Sequence, residues 1–154
     1  MNDHDTAHIK DVIAVSARAR EHGNPPFGAL LVDDSGQVLL EEENTVVTDG
    51  DITAHPELKV AMLAARQFDA DLLARCTMYA STEPCAMCSV ALYNAGIGRV
   101  VFALSGATIR ARRGNPPEAL ALSCREVFSH GGRPVEVVGP VAEDEALEVH
   151  AGLL

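Results

Sequence analysis

The chain has only two lysines, Lys10 and Lys59, and twelve basic residues against 22 acidic ones, for a formal net charge of −10. A surface this acidic repels polyanions at long range, which argues against a nucleic-acid partner. No apolar run approaches the ~18 residues that a membrane span needs. No repeat or low-complexity linker interrupts the 154 residues, which read as one domain large enough for its own core. The polar, acidic start MNDHDTAHIKDV is unlike a signal peptide or an Arg-rich transit peptide, so a soluble cytoplasmic protein is expected. Apolar residues still make up 47% of the chain, which excludes disorder. Cysteines number only four. In a cytoplasmic chain of this size they point to metal or catalysis rather than disulfides.

Apolar Ile9, Val12, Ile13 and Ala17 predict a helix from about Thr6 to His22, stopped by Gly23. Two strand-like runs, NPPFGALLVDD and QVLLEEENTV, flank Asp34-Ser35-Gly36 and predict a β-hairpin. A helix is expected from Thr53 to about Phe68, a buried strand at CTMYAS, an apolar helix from Cys85 to Ala95, and a second buried strand at RVVFAL. Ser105 to Glu118 reads as a long loop, with Arg110, Arg112 and Arg113 on a solvated face or, as the alternative, meeting a substrate phosphate or a partner's carboxylates. A short helix from Ala119 to Phe128, a strand PVEVVG and a helix from about Ala142 to Ala151 complete the order. Strands alternating with helices after a leading hairpin imply an α/β fold, a three-layer α/β/α sandwich on a mixed five-stranded sheet.

Two short stretches carry the chemistry. In STEPCAMC, Pro84 follows a strand and precedes an apolar helix, where its fixed φ and missing N–H cost nothing. Cys85 and Cys88 then share one helical face, close to a helix N-terminus that favours thiolate. In TAHPE, the residue before proline avoids the helical region, so His55 marks the boundary and Pro56 the first helical residue. Two helix starts following strands of one sheet would open at the same edge. His55, Cys85 and Cys88 would then bind Zn2+ and leave a fourth tetrahedral position for water, the mark of a catalytic site. Glu57 is too close in sequence to His55 for a second ligand on the same ion, and is placed to take and return the water's proton.

The combination H-x-E…P-C-x-x-C is the signature of zinc deaminases. With PFGALLVDD, Asn44, DITAHPE and STEPCAMCSVALYNAGIGRVVFA in register, Thr6 to Leu104 resembles the cytidine deaminase superfamily. The resemblance is to the branch holding guanine deaminases, cytosine deaminases and tRNA adenosine deaminases. It implies that Asn44 hydrogen-bonds the base edge and that Phe27 walls the pocket or stacks on the base. It also implies that backbone groups around Ala54 and from Ser81 through Thr82 to Glu83 hold the ring and its amino group. The expected partner is a small aminated heterocycle, free base or nucleoside, and the branch is commonly homodimeric. A guanine-like purine leads, on PFGA and on Glu83 in TEPC. The stretch SGATIRARRG lacks the acidic residue that guanine deaminases carry after this strand, which counts against guanine itself.

Several readings stay open at this point. Editing of tRNA adenosine, deamination of cytosine or cytidine, and a non-catalytic zinc-stabilised module are the alternatives. A closed site would recruit Cys76 or Cys124 as a fourth ligand, although both read as core cysteines. Pro56 stands where these enzymes usually have alanine. His4, His8, His22, His130 and His150 read as surface residues.

Overall fold

The structure, a computed structural model, describes residues 1–154. A capping box starts α1 (Asp3–Glu21): Asn2 accepts from the Asp5 N–H at 2.8 Å, and the Asp5 carboxylate accepts from the Asn2 N–H at 3.0 Å. Strands β1 (Gly28–Val32) and β2 (Val38–Glu43) form the hairpin. Asp33 Oδ1 accepts from the N–H groups of Ser35 and Gln37 in the turn, where Gly36 adopts φ +90°. Then follow α2 (Val46–Asp49), α3 (Pro56–Gln67), α4 (Ala70–Ala74), β3 (Thr77–Thr82), α5 (Ala86–Ala95) and β4 (Arg99–Leu104). The chain closes with α6 (Gly106–Arg112), α7 (Cys124–Ser129), β5 (Glu136–Val138) and α8 (Glu143–Glu148).

The sheet runs β2-β1-β3-β4-β5. β1 is antiparallel to both β2 and β3, whereas β3, β4 and β5 run parallel, so the mixed five-stranded sheet is the one expected. Its central strands are buried on both faces and alternate cleanly between two cores. Ala29, Leu31, Met78, Ala80, Val100 and Phe102 face a core shared with α3, α5 and α7. Leu30, Val32, Tyr79, Val101 and Ala103 face the other, shared with α1 and α8. No helix is long and apolar enough to cross a membrane.

One tie between layers is ionic. Asp5 of α1 is fully buried and takes two hydrogen bonds from the Arg99 guanidinium, at 2.7 and 2.8 Å, and one from the Tyr79 hydroxyl at 2.6 Å. The Arg99 bonds hold the Asp5 carboxyl well below the usual carboxylate range, against the pull of burial.

The structure corrects the sequence reading mainly after β4. Ser105 to Glu118 is not all loop: the Ser105 hydroxyl caps α6 by accepting from the Thr108 N–H at 3.1 Å. The helix expected over Ala119 to Phe128 is confined to α7, because Ser123 is its cap and Pro116 and Pro117 lie in irregular chain before it. α8 is shorter than expected, and α2 and α4 are additional single turns. His8 and His150 are buried rather than on the surface. His8, on the inward face of α1, packs against the Tyr79 ring, and His150, in the turn after α8, packs against Phe27.

Candidate active site

His55 and Cys85 are the N-caps of α3 and α5, and Pro56 is the first residue of α3, as its chemistry requires. Cys85 follows β3, at the sheet edge where α3 also begins. The three ligand atoms of His55, Cys85 and Cys88 lie within 4.8 Å of one another. His55 Nδ1 is 3.6 Å from Cys85 Sγ and 3.5 Å from Cys88 Sγ. Zinc bonds of about 2.3 Å to sulfur and about 2.05 Å to nitrogen, opened at the tetrahedral angle, put N and S about 3.6 Å apart. The donor set and its spacing fit zinc. Cys76 and Cys124 are buried in the core away from this group, so they do not complete it.

The group is electrostatically tuned for a cation. The Cys88 thiol and then the His55 ring draw the Cys85 pKa down to about 4, while Cys88 is raised by its bond to Cys85 and by burial. Glu57, in the first turn of α3, is 4% exposed. Burial pushes its carboxyl up to about 7.

These residues open on a cavity of about 370 Å³. Phe27, Asn44, Thr82 and Glu83 line it together with His55, Glu57 and Cys85, whereas Cys88 lies beneath. Asn44 Oδ1 accepts from the Val46 N–H at 2.9 Å, which leaves the amide NH2 as the free donor. The Thr82 hydroxyl is buried without a partner. Ala54 and Ser81 stand behind the wall: the Ala54 carbonyl accepts from Thr45 N–H, and the Ser81 hydroxyl from Gly28 N–H. The Glu83 side chain does something no local pattern signals. It accepts from Gly106 N–H and Cys124 N–H, both at 3.0 Å, and so ties β3 to the starts of α6 and α7.

The far wall was missed in the sequence. Ile109, Arg110 and Arg113 of α6 and its end, with Leu120 and Leu122 of the irregular stretch, close the cavity. The Ser105/Thr108 cap was the available signal for α6. Arg110 is thus half-buried on a helix at the site, not on a solvated loop, while Arg112 stays exposed.

His150 supports the wall from behind. Its ring meets Phe27 edge-on at 5.4 Å and its Nδ1 has no partner. Burial, then Arg113 and Arg20, lower its pKa from 6.5 to about 4. The unfolded chain takes up this proton first, so the folded state loses stability as pH falls from about 6.5 toward 4. Between pH 7 and pH 4.5, urea unfolding should show the unaltered protein losing roughly 2 kcal/mol more than His150→Phe, a difference that leaves out the opposing titration of Glu57 common to both. An equal loss in the variant would remove His150 from the account.

Residues 2–104 match the family described as cytidine and deoxycytidylate deaminase zinc-binding region. A probable cytosine deaminase of Schizosaccharomyces pombe is 38% identical over 99% of this chain and 93% of its own. Guanine deaminase of Bacillus subtilis is 41% identical over 78 residues, covering 51% of this chain and 49% of its own. A solved structure from studies of A-to-I editing by tRNA:A34 deaminases superposes with a TM-score of 0.72 at 29% identity, covering 93% of this chain and 99% of that one. With the family match running through most of its length and through every residue of the zinc-fitting group, the chain belongs to the cytidine and deoxycytidylate deaminase family and is a zinc-dependent hydrolase of C–N bonds.

Proposed function

We propose that the chain hydrolyses the exocyclic amine of a single small heterocycle, in first place a cytosine-like pyrimidine, with His55, Cys85 and Cys88 as the zinc ligands and Glu57 as the proton carrier. The supporting observation is a nitrogen and two sulfurs at tetrahedral spacing on a cavity that also holds a buried carboxylate. Zinc supplies Lewis acidity that brings the pKa of water from about 15.7 toward ~7. Glu57 accepts the proton that the attacking water gives up and passes protons to the amino group as its C–N bond breaks. Water and substrate amine become ring carbonyl and ammonia. The Asn44 amide donates to a ring carbonyl or ring nitrogen, fixing which edge faces Glu57. Phe27 offers the ring an apolar wall.

Cytosine ranks above guanine because the similarity to the fission-yeast enzyme runs through the whole wall. The cavity lining extends from Pro25 to Leu122, a longer stretch than the 78 residues similar to guanine deaminase. A guanine-like purine is the second reading, favoured by a cavity large enough for two fused rings. Ammonia release across cytosine, cytidine, guanine, adenine, adenosine and s-triazines should single out cytosine-like rings. Turnover of guanine alone would reverse the order. Salt-dependent binding of a tRNA anticodon stem-loop, with no turnover of free bases, would replace both by tRNA editing.

A homodimer is also proposed. Met62, Met87 and Val90 on α3 and α5 are exposed apolar side chains on neighbouring helices. Sedimentation should give the mass of two chains, and Met62→Glu with Val90→Glu should halve it. A single-chain mass for the unaltered protein would end this reading.

A further inference from the structure

We propose that the heterocycle carries an anionic substituent, a carboxylate or a phosphate, held by Arg110 and Arg113 at the far wall of the cavity. This rests on the deaminase reading above and specifies the substrate class of that same site.

Seven of the twelve lysine and arginine side chains are engaged by ion pairs or protein acceptors. Arg18, Arg75 and Arg99 each meet carboxylates, and Lys59 meets Glu42. Arg20, Arg125 and Arg133 donate to backbone carbonyls. Arg110 and Arg113 do neither: no carboxylate lies within 4.0 Å of them, and no protein acceptor takes their N–H groups. Yet both line the cavity. Lys10, Arg66 and Arg112 are also unpaired, but they are exposed and lie off the cavity, so Arg110 and Arg113 are distinguished by being unpaired cations that line it.

Their placement is also rigid. Three residues apart at the end of α6, they share one face, whereas Arg112 falls on another. The start of α6 is fastened twice. Glu83 accepts from Gly106 N–H, and Glu143 accepts from Ser105 N–H at 3.1 Å and from the Thr108 hydroxyl at 2.9 Å. Glu83, the acid nearest this turn, already has one oxygen on Gly106 and the other on Cys124. The helix dipole favours cations in a last turn. It gives no reason for two of them to border the cavity.

Size agrees. About 370 Å³ falls within the range of sites for ligands larger than one six-membered ring. A guanidinium binds carboxylate or phosphate through paired N–H donors; half-buried Arg110 sits next to buried Ile109 in the chain, and exposed Arg113 stands toward solvent.

The test compares matched neutral and anionic substrates: cytosine with 5-carboxycytosine, cytidine with cytidine 5′-monophosphate, and guanosine with guanosine 5′-monophosphate. The expected result is a higher kcat/KM for at least one anionic member, carboxylate or phosphate according to which source is correct. That preference should weaken as salt rises. In Arg110→Gln/Arg113→Gln it should fall by about tenfold to a hundredfold, the scale of a lost charge-assisted hydrogen bond. Arg110→Lys/Arg113→Lys should restore part of it. Zinc content reports that each variant has folded, and Arg66→Gln, an exposed arginine elsewhere, controls for net charge. Turnover of neutral bases without preference for any anionic partner, or a preference unchanged in the glutamine variant, overturns the inference alone. No ammonia from any member of either set overturns the deaminase reading itself.

Discussion

Glu57→Ala keeps one zinc per chain and loses at least about a hundredfold in deamination rate. The two halves of this result separate chemistry from architecture. Glu57 is not among the three residues whose ligand atoms converge, so its removal leaves the nitrogen and sulfur donors intact. It is, however, a buried carboxylate on the cavity, 4% exposed, in the first turn of α3 and free of the metal-ligand role that His55 fills. Glu57→Gln sharpens the comparison. It retains size and hydrogen bonding but has no proton to exchange, so it should be as slow as alanine. Unchanged turnover with full zinc would remove Glu57 from the reaction. Loss of zinc in both variants would make it part of the metal centre instead.

Arg99→Met should destabilise the fold by about 3 to 5 kcal/mol, because it strands the Asp5 carboxylate inside the protein. Asp5 has no exposed surface, and two of its three side-chain donors of hydrogen bonds come from Arg99. The cost is that of an uncompensated buried charge, larger than the net worth of the pair. Asp5→Asn together with Arg99→Met should therefore recover much of the loss. The sign with pH follows. Asp5 is depressed in the folded state, so its contribution is complete above the ordinary carboxylate value of 3.8 and is lost only in stronger acid. Without Arg99 that loss should begin at higher pH. Urea midpoints across pH measure both effects, and a single variant within 1 kcal/mol of the unaltered protein would show that the pair carries little.

The sequence was most readable where one residue type has few physical uses. Pro56 could only begin a helix, and it is the first residue of α3, while Pro84 directly precedes Cys85, the cap of α5. RVVFAL could only be a buried strand and spans β4 in full. Cys85, Cys88 and His55 were legible because three soft or borderline ligands had to sit at helix starts on one edge. Reading failed where the determinant was tertiary. Glu83 finds its partners 23 and 41 residues downstream, and no local pattern announces either. α6 is held by Glu143, 35 residues beyond Thr108, and its arginines and prolines looked like loop chemistry. His150 was misjudged because histidine at the end of a short polar helix is ordinarily solvated, and Phe27 was the unseen surface covering it.

The acid-rich strand β2 decides how this sheet meets its surroundings. It is the outermost strand on its side, it carries Glu41, Glu42 and Glu43 in succession, and its pairing slips register between Leu31 and Val32. Arg18 and Lys59 clasp these glutamates from the helices on either side. An edge charged, kinked and straddled in this way offers a poor template for a foreign strand, so it guards against amyloid-like stacking and domain exchange. Strand addition at this side of the sheet is therefore disfavoured, and only β5 remains as an open edge.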